Sequence, residues 1–198
     1  MSAPTHLLYL HGFRSSPHSA KAQRLAREVE RARAEGLDVH WACPQLPPSP
    51  AQALQEIESL IALWPRRSMV VIGSSLGGFY ATVIAERHGC RAAVINPAVA
   101  PARDLARHIG EQTSFHNPQD RFFVRPEFVD EFRALDPYPI TQAERYWALI
   151  AEGDEVLDWR EMVSHYEGAQ MRLLDGSDHA VSDFEAHLPA LKAFLALP

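Results

Sequence analysis

Short apolar runs alternate along the chain with stretches in which apolar residues recur every three or four positions. The runs are typical of buried strands, and the stretches are typical of amphipathic helices. Strands are predicted over residues 7–10, 37–43, 68–72, 91–95, 146–151 and 170–174, with helices between them. Because strands that alternate with helices form a parallel sheet covered by helices on both faces, the predicted fold class is α/β.

Cap residues predict where two of the helices begin. Ser49 is a good N-cap residue, and Pro50 suits the first position of the helix that follows it. Near the C-terminus, Ser182 and Glu185 have the spacing of a capping box. A final helix is therefore predicted from this point, with Pro189 close to its start.

The regular alternation lapses in residues 101–145, where one helix is predicted around residues 126–135. We expect a single domain over residues 1–198, with this segment as a small lid-like insertion that lines the substrate pocket. Its phenylalanines are either acyl-chain contacts or packing residues that hold the segment on the body: Phe115, Phe122, Phe123 and Phe128. Our hypothesis is that Phe122 and Phe123 limit acyl length.

The strongest chemical signal is Gly73-x-Ser75-x-Gly77, which follows an apolar run and precedes a helical pattern. This is the G-x-S-x-G nucleophile elbow, in which a sharp strand-to-helix turn exposes the serine hydroxyl. The turn crowds the residues two before and two after the serine, so both positions need glycine. The helix N-terminus also favours negative charge that forms beside the serine. Ser75 is therefore the predicted nucleophile.

A serine nucleophile needs a base and an acid. His179 lies in a loop after the last predicted strand, and Asp154 follows the strand before it. The order serine, acid, histidine is that of α/β-hydrolases. Asp158 is the rival acid, whereas Asp178 is a poor candidate because a sequence neighbour rarely reaches Nδ1 of the adjacent imidazole. The predicted catalytic residues are Ser75, Asp154 and His179.

The oxyanion hole is predicted at two backbone N–H groups, those of Leu76 and Phe13, with Gly12 as the second choice in the loop after the first strand. His11 is expected to support that loop through hydrogen bonds rather than to act as a second base. Ligands of parallel sheets bind at the carboxyl ends of the strands. The polar residues that follow predicted strands should therefore meet along one rim: His11, Ser75, Asn96, Asp154 and His179.

Composition narrows the possible partners. The 198 residues are 46% hydrophobic and 22% charged, as in a soluble globular protein, and the net charge of -6 without a basic run argues against nucleic acid. No apolar stretch is long enough to span a bilayer, and the first six residues lack the basic residues of a signal peptide. Cys43 and Cys90 are expected to be free thiols in the cytoplasm. No ligand cluster with zinc spacing involves His6, His11 or His179, so neither metal nor cofactor is expected.

Several blocks in order along the chain resemble small bacterial α/β-hydrolase esterases of the YqiA type. These blocks are Leu8-Tyr9-Leu10-His11-Gly12-Phe13, Ser15-Ser16-Pro17, Lys21-Ala22, Gly73-Ser74-Ser75-Leu76-Gly77-Gly78-Phe79-Tyr80-Ala81-Thr82, Ile95-Asn96-Pro97-Ala98, Gly153-Asp154-Glu155-Val156-Leu157-Asp158 and Gly176-Ser177-Asp178-His179. The resemblance implies the α/β-hydrolase fold and hydrolysis of carboxylic esters or thioesters by Ser75, Asp154 and His179. This chain departs from the general pattern in two ways: the first two strands of the full-size fold are expected to be missing, and residues 101–145 form a small lid at best. In addition, Val181 stands where an aromatic residue is expected after the histidine.

The predicted function is therefore a serine esterase that forms an acyl-enzyme with a small-molecule ester or thioester. The alternatives within enzymes are an acyl-CoA thioesterase, a serine aminopeptidase and a perhydrolase with the same triad. An aminopeptidase would need a carboxylate near the site, which Glu152 or Glu155 could supply. The non-enzyme alternative is a binding protein on a hydrolase fold, which inertness toward a fluorophosphonate probe would favour.

Overall fold

The computed structural model describes residues 4–117 and 119–198, so residues 1–3 of the segment considered for a signal peptide lie outside it. The strands are β1 (His6–Leu10), β2 (His40–Ala42), β3 (Met69–Ser74), β4 (Arg91–Ile95), β5 (Gly110–Thr113), β6 (Arg121–Val124), β7 (Tyr146–Ala151) and β8 (Gln170–Leu174). The helices are α1 (Ala20–Ala34), α2 (Pro50–Leu60), α3 (Leu76–His88), α4 (Pro101–Ala106), α5 (Glu127–Leu135), α6 (Trp159–His165) and α7 (Phe184–Leu195).

The central sheet has six strands in the order β2-β1-β3-β4-β7-β8, and every neighbouring pair is parallel. The predicted α/β fold class is therefore confirmed. In the register of the central strands, Leu10 pairs with Gly73 and Gly73 pairs with Val94. The carboxyl ends of β1, β3 and β4 consequently meet at one edge of the sheet, where ligands of such sheets bind.

The two faces of the sheet carry separate hydrophobic cores, because successive side chains of a strand point to opposite faces. Leu8, Val71 and Val94 lie on the face covered by α2, α3 and α6. Leu7 and Trp147 lie on the opposite face with α1 and α7. Strands buried on both faces read as continuous apolar runs rather than as alternating ones. This explains why the bounds predicted for β4 and β7 are confirmed. The bounds of the edge strand β8 are also confirmed, although its residues are half-buried or exposed, whereas β2 at the other edge is shorter than the predicted 37–43.

The cap predictions have different outcomes at the two helices. Ser49 is the N-cap residue of α2, and its hydroxyl accepts the N–H of Gln52 at 3.3 Å. The capping box predicted for the last helix is wrong, because α7 begins only at Phe184. The Ser182 hydroxyl donates instead to the Asp178 carboxylate at 2.5 Å, and Glu185 accepts from Arg24 at 2.6 Å. Both side chains are therefore engaged away from the helix terminus.

Residues 101–145 contain more regular structure than predicted. The helix expected around residues 126–135 is confirmed by α5. The segment also holds α4 and an antiparallel hairpin of β5 and β6, which were not predicted. Phe132 of α5 is buried and lies edge-on to Phe79 of α3 at 5.6 Å between ring centroids. This contact joins the segment to the core of the sheet.

Both cysteines are free, as expected, and Cys90 is buried while Cys43 is half-buried. Burial raises the pKa of each thiol to about 12, so both are protonated at neutral pH. Among the helices of the described residues, none combines the length and the apolar character needed to cross a bilayer.

Candidate active site

The turn between β3 and α3 has the strained geometry expected of a nucleophile elbow. Ser75 has φ 56° and ψ −123°, a backbone conformation that residues with a side chain rarely adopt. A Cβ on Gly73 would lie 2.1 Å from the Gly77 carbonyl oxygen, and a Cβ on Gly77 would lie 1.9 Å from that of Leu10. Since real atoms do not approach so closely, only glycine fits both positions, and the turn closes tightly enough to present the Ser75 hydroxyl.

Ser75, His179 and Asp154 form one chain of hydrogen bonds. His179 Nε2 lies 2.9 Å from Ser75 Oγ, and His179 Nδ1 lies 2.7 Å from Asp154 Oδ2. A carboxylate can only accept, so Nδ1 carries the proton and Nε2 is left to accept from the serine hydroxyl. The Asp154 carboxylate is fully buried, whereas the His179 side chain is 19% exposed. The imidazole is thus reachable from solvent while its partner is not.

The Asp154 carboxylate is held on both sides. Its Oδ1 accepts the backbone N–H groups of Val156 at 2.9 Å and Leu157 at 2.8 Å, which fixes Oδ2 toward the imidazole. The rival Asp158 is instead the N-cap residue of α6 and accepts from Arg160 N–H at 2.9 Å. The structure therefore brings Asp154, and not Asp158, to the histidine.

The loop after β1 passes directly beside the Ser75 hydroxyl. A Cβ on Gly12 would lie 3.1 Å from Ser75 Cβ and 3.6 Å from Ser75 Oγ, so the loop carrying the Phe13 N–H runs close to the reacting oxygen. Leu76 is the first residue of α3, and N–H groups of the first helical turn have no partner within their helix. The loop that contains Phe13 and the first turn of α3, which are the two places predicted to supply oxyanion-hole donors, therefore both lie beside Ser75.

His11 makes two hydrogen bonds that identify its protonation state. Its Nδ1 lies 2.9 Å from the Gly12 carbonyl oxygen and its Nε2 accepts the Leu46 N–H at 3.0 Å. One ring nitrogen therefore donates while the other accepts, which describes a neutral imidazole. Burial lowers the pKa of His11 and favours this neutral form. The residue connects the Gly12 turn to the loop that follows β2.

Three further polar residues contact the histidine loop. Asn96, predicted on the rim of the sheet, follows β4, has φ 40° and is fully buried. Lys21 of α1 donates to the Ala180 carbonyl, and Glu155, considered from sequence only as a possible carboxylate of an aminopeptidase, accepts the His179 N–H at 2.9 Å. The bonds of these residues to the histidine loop were not predicted, because contacts between distant segments leave no local pattern.

A cavity of about 590 Å³ opens beside the elbow. Its apolar wall comes from Phe13, Leu46, Leu76, Leu105 and Phe122. Its rim is polar and includes the following residues: Arg14, His18, Gln45, His116, Asn117, Asp120 and Arg121. This size is within the range that accommodates small organic ligands.

The four phenylalanines singled out in residues 101–145 have different surroundings. Phe122 lines the cavity and meets Phe13 edge-on, with 5.8 Å between ring centroids. Its neighbour Phe123 is 57% exposed, and Phe115 is 66% exposed. Phe128 is buried. Of this set, Phe122 alone combines a place in the cavity wall with a contact to the Gly12 loop.

Arg14 attaches the hairpin of β5 and β6 to the Gly12 loop. Its Nε donates to the Thr113 carbonyl at 2.7 Å and its Nη2 to the Thr113 hydroxyl at 3.2 Å. Its backbone carbonyl accepts the Phe115 N–H at 2.8 Å, and its guanidinium lies 4.3 Å from the centre of the Phe115 ring. The wall of the cavity and the loop beside Ser75 are therefore one connected unit.

The histidines considered for a metal site do not converge. His6 packs against His40 and Trp64, while His11 and His179 have the partners described above. Over residues 4–117 and 119–198, no group of three or more His, Cys, Asp or Glu side chains is arranged to hold a metal ion.

The parallel sheet, the nucleophile elbow and the position of the histidine after the last strand define the α/β-hydrolase fold. Solved structures agree with this class. Mouse alpha/beta hydrolase domain-containing protein 10 superposes with a TM-score of 0.70 at 16% identity, covering 98% of this chain and 92% of the mouse chain. A structure from the work on LipS and LipT, two metagenome-derived lipolytic enzymes, has a TM-score of 0.72 at 18% identity and covers 98% and 94%.

Residues 6–196 match the sequence model of the Uncharacterised protein family (UPF0227), and the chain belongs to this family. A UPF0227 protein of Serratia proteamaculans (strain 568) is 24% identical over 148 residues, which covers 73% of this chain and 74% of the relative. The resemblance drawn from the sequence blocks is therefore confirmed.

Proposed function

We propose that this protein is a serine hydrolase that cleaves carboxylic esters through an acyl-enzyme on Ser75. The observation that carries the proposal is the unbroken hydrogen-bond chain from Ser75 Oγ through His179 to a fully buried Asp154 carboxylate. This arrangement activates a hydroxyl for attack on a carbonyl carbon. The esterases and lipolytic enzymes among proteins of the same fold support the reaction class.

In the acylation half of the reaction, the Ser75 oxygen forms a bond to the carbonyl carbon while its proton passes to His179 Nε2. Asp154 holds the imidazole in the required tautomer and stabilises the imidazolium. The carbonyl oxygen becomes an oxyanion, which the N–H groups of Phe13 and Leu76 stabilise. The tetrahedral intermediate then collapses, the bond to the alcohol oxygen breaks, and His179 returns the proton to the leaving alcohol.

In the second half, water replaces the alcohol. His179 takes a proton from water as the water oxygen bonds to the acyl carbon. The second tetrahedral intermediate then collapses, the bond between the acyl carbon and Ser75 Oγ breaks, and His179 gives its proton to Ser75 Oγ as the carboxylic acid leaves. Because His11 is neutral and both of its nitrogens are occupied, it supports the Gly12 loop and takes no part in proton transfer.

We assign the acyl group of the substrate to the cavity beside the elbow. Phe122 and Phe13 form an aromatic wall there, and residues 101–145 act as the lid-like insertion of a single hydrolase domain. Phe123 is exposed, so the hypothesis that both phenylalanines limit acyl length reduces to Phe122.

The aminopeptidase alternative receives less support from the site. It needs a carboxylate near the site, for which Glu152 and Glu155 are the candidates. The Glu155 carboxylate accepts the His179 N–H at 2.9 Å, and among the described residues no hydrogen bond directs the Glu152 side chain into the site. Thioesters share the carbonyl chemistry of esters, so an acyl-CoA substrate is the second candidate within the same mechanism.

The test is hydrolysis of p-nitrophenyl esters from acetate to palmitate by the wild type and by Ser75→Ala. We expect measurable kcat/KM in the wild type and its loss by a factor of about 10⁴ or more in the variant. A fluorophosphonate probe should label the wild type and spare Ser75→Ala.

Two results would refute the proposal. Hydrolysis that survives in Ser75→Ala would move the reaction to another site. A wild type that neither hydrolyses these esters nor reacts with the fluorophosphonate would favour the binding-protein alternative.

A further inference from the structure

Asn96 occupies a position where the three elements of the proposed catalytic centre meet. Its side-chain Nδ2 donates to the carbonyl of Asp178 at 3.0 Å and to that of His179 at 3.1 Å. Its Oδ1 accepts the N–H of Ala151 at 2.8 Å. One amide therefore ties the histidine loop to the last residue of β7, the strand that leads directly to Asp154.

The backbone around Asn96 holds the nucleophile as well. The carbonyl of Ile95 accepts the Ser75 N–H at 3.0 Å, and the N–H of Ala98 donates to the Ser75 carbonyl at 3.0 Å. Both peptide groups that flank the Ser75 side chain are consequently bonded to the same four-residue turn. Ser75, His179 and the Asp154 segment thus share one short piece of chain after β4.

The backbone conformation and the burial of Asn96 both favour asparagine at this position. The residue is fully buried and has φ 40°, a region that asparagine tolerates better than other residues with a side chain. A buried amide is stable only when its donors and acceptor are satisfied; here two hydrogen bonds go to the histidine loop and one to the last residue of β7. Asparagine is the residue whose amide supplies two donors and an acceptor at this distance from the backbone.

Two other side chains bond backbone groups of the histidine loop that Asn96 does not bond. Glu155 accepts the N–H of His179, and Lys21 of α1 donates to the carbonyl of Ala180. The three consecutive peptide groups from the Asp178 carbonyl to the Ala180 carbonyl are therefore each bonded by at least one side chain from outside the loop. The loop has few ways to move the imidazole without breaking one of these bonds.

We propose that Asn96 is the positioning residue that aligns His179 with both Ser75 and Asp154, assisted by Lys21 and Glu155. The inference rests on the proposed function, because alignment matters only if these groups react together. Misplacing a catalytic group by about 1 Å can cost about 10²-fold in rate. We therefore expect loss in the chemical step rather than in substrate binding.

The experiment compares Asn96→Gly and Asn96→Asp with the wild type. Asn96→Gly permits the positive φ but removes the amide, whereas Asn96→Asp retains an acceptor for Ala151 and removes both donors to the histidine loop. We expect each variant to lose about 10²-fold in the rate constant for fluorophosphonate labelling and in kcat for p-nitrophenyl acetate, with KM changed less than about threefold. Tyr166→Phe removes a buried hydroxyl that bonds to Thr82 and serves as the control for a general loss of stability.

A second pair of variants covers the case in which the Asn96 variants do not fold. The chain has two lysines, and each donates from a helix to a distant acceptor: Lys21 to the Ala180 carbonyl and Lys192 to the Glu28 carboxylate. We expect Lys21→Met to lose between about twofold and tenfold in kcat, and Lys192→Met to retain the wild-type kcat. Equal kcat for Lys21→Met and Lys192→Met, or folded Asn96 variants that label within twofold of the wild type, would overturn the proposal.

A readout that needs no substrate separates this proposal from the proposed function. The proton between His179 Nδ1 and Asp154 gives a far-downfield proton NMR signal when the two groups are held together. We expect that signal in the wild type and in Tyr166→Phe, and its broadening or loss in both Asn96 variants. Unchanged signals in the Asn96 variants would overturn the positioning role, even if no ester proves to be a substrate.

Discussion

Replacing Asp154 by asparagine tests the electrostatic half of the proposed mechanism. The asparagine oxygen would take the place of Oδ1, because only an acceptor can receive the N–H groups of Val156 and Leu157. The new NH₂ group would then face His179 Nδ1 at the position of Oδ2, 2.7 Å away. Two donors cannot share that contact, so the proton must move to Nε2. The imidazole could no longer accept the Ser75 proton.

The expected loss in kcat/KM is about 10⁴-fold, the size seen when a catalytic histidine is held in the wrong tautomer, which corresponds to about 5.5 kcal/mol of transition-state stabilisation. The fold should survive, because the two backbone hydrogen bonds of residue 154 are kept. The assay is hydrolysis of p-nitrophenyl acetate at saturating and limiting concentrations, with circular dichroism to confirm folding.

The matched control is Asp158→Asn. Asp158 is the N-cap residue of α6 and its side chain is about half exposed (51%). Asparagine caps helices as well as aspartate does, so the variant should lose at most about 1 kcal/mol of stability and retain full activity. If Asp154→Asn kept more than a tenth of the wild-type kcat/KM, or if Asp158→Asn lost as much, the assignment of the acid would be wrong.

Three further outcomes are expected. Phe122→Ala should shift the preference among p-nitrophenyl esters toward longer acyl chains, by about 0.8 kcal/mol for each methylene newly buried. Phe123→Ala should leave this preference unchanged, because Phe123 is exposed. Equal preferences in the two variants would refute the assignment of the acyl group to the cavity. Arg14→Ala should weaken the attachment of the hairpin to the Gly12 loop by about 1.5–3 kcal/mol. The measurement is hydrogen exchange of the β5 and β6 amides, which should become faster. Unchanged exchange would count against this attachment. Hydrogen bonding from Lys192 and Arg24 lowers the pKa of Glu28 from 4.5 to about 2, so its stabilising effect is complete above pH 4.5 and is lost as the pH falls toward 2. Urea unfolding of Glu28→Gln should accordingly show a flatter stability profile over that interval, and a slope equal to that of the wild type would disprove the role of this carboxylate.

Parts of the fold could be predicted where burial leaves a run of apolar residues or a required glycine in the sequence. Strands β4 and β7 are largely buried apolar runs with the predicted bounds, and the glycines at 73 and 77 are required by contacts within the elbow and with β1. The bounds of β8 were also predicted correctly, although its residues are half-buried or exposed. The hairpin of β5 and β6 could not be predicted because it lacks such a run. Most residues of β5 and β6 are half-buried or exposed, so these short strands show no periodic apolar signal.

Asn96 and His179 were predicted on one rim of the sheet, but the groups to which Asn96 donates could not be predicted. Asn96 lies more than 80 residues from the carbonyls of residues 178 and 179 to which it donates. Ser182 had the correct spacing for a capping box, but its hydroxyl and N–H both bond to Asp178, four residues earlier, and the helix begins only at Phe184. Order along the chain identified the candidate side chains, while the supports that hold them became visible only in the folded structure.

The direct pairing of β4 with β7 affects which parts of this sequence can vary in length. The chain between these strands leaves the sheet and returns to the neighbouring strand, with Ala92 opposite Tyr146 and Ile95 opposite Leu149. The entropy of closing such an excursion depends only weakly on its length, about 0.6 kcal/mol for each doubling. Insertions or deletions in the hairpin of β5 and β6 can therefore reshape the cavity wall while the strand ends that carry Ser75, Asp154 and His179 stay in register. Under the proposed function, acyl-chain preference can therefore change without moving Ser75, Asp154 or His179, as long as Arg14 still joins the hairpin to the Gly12 loop.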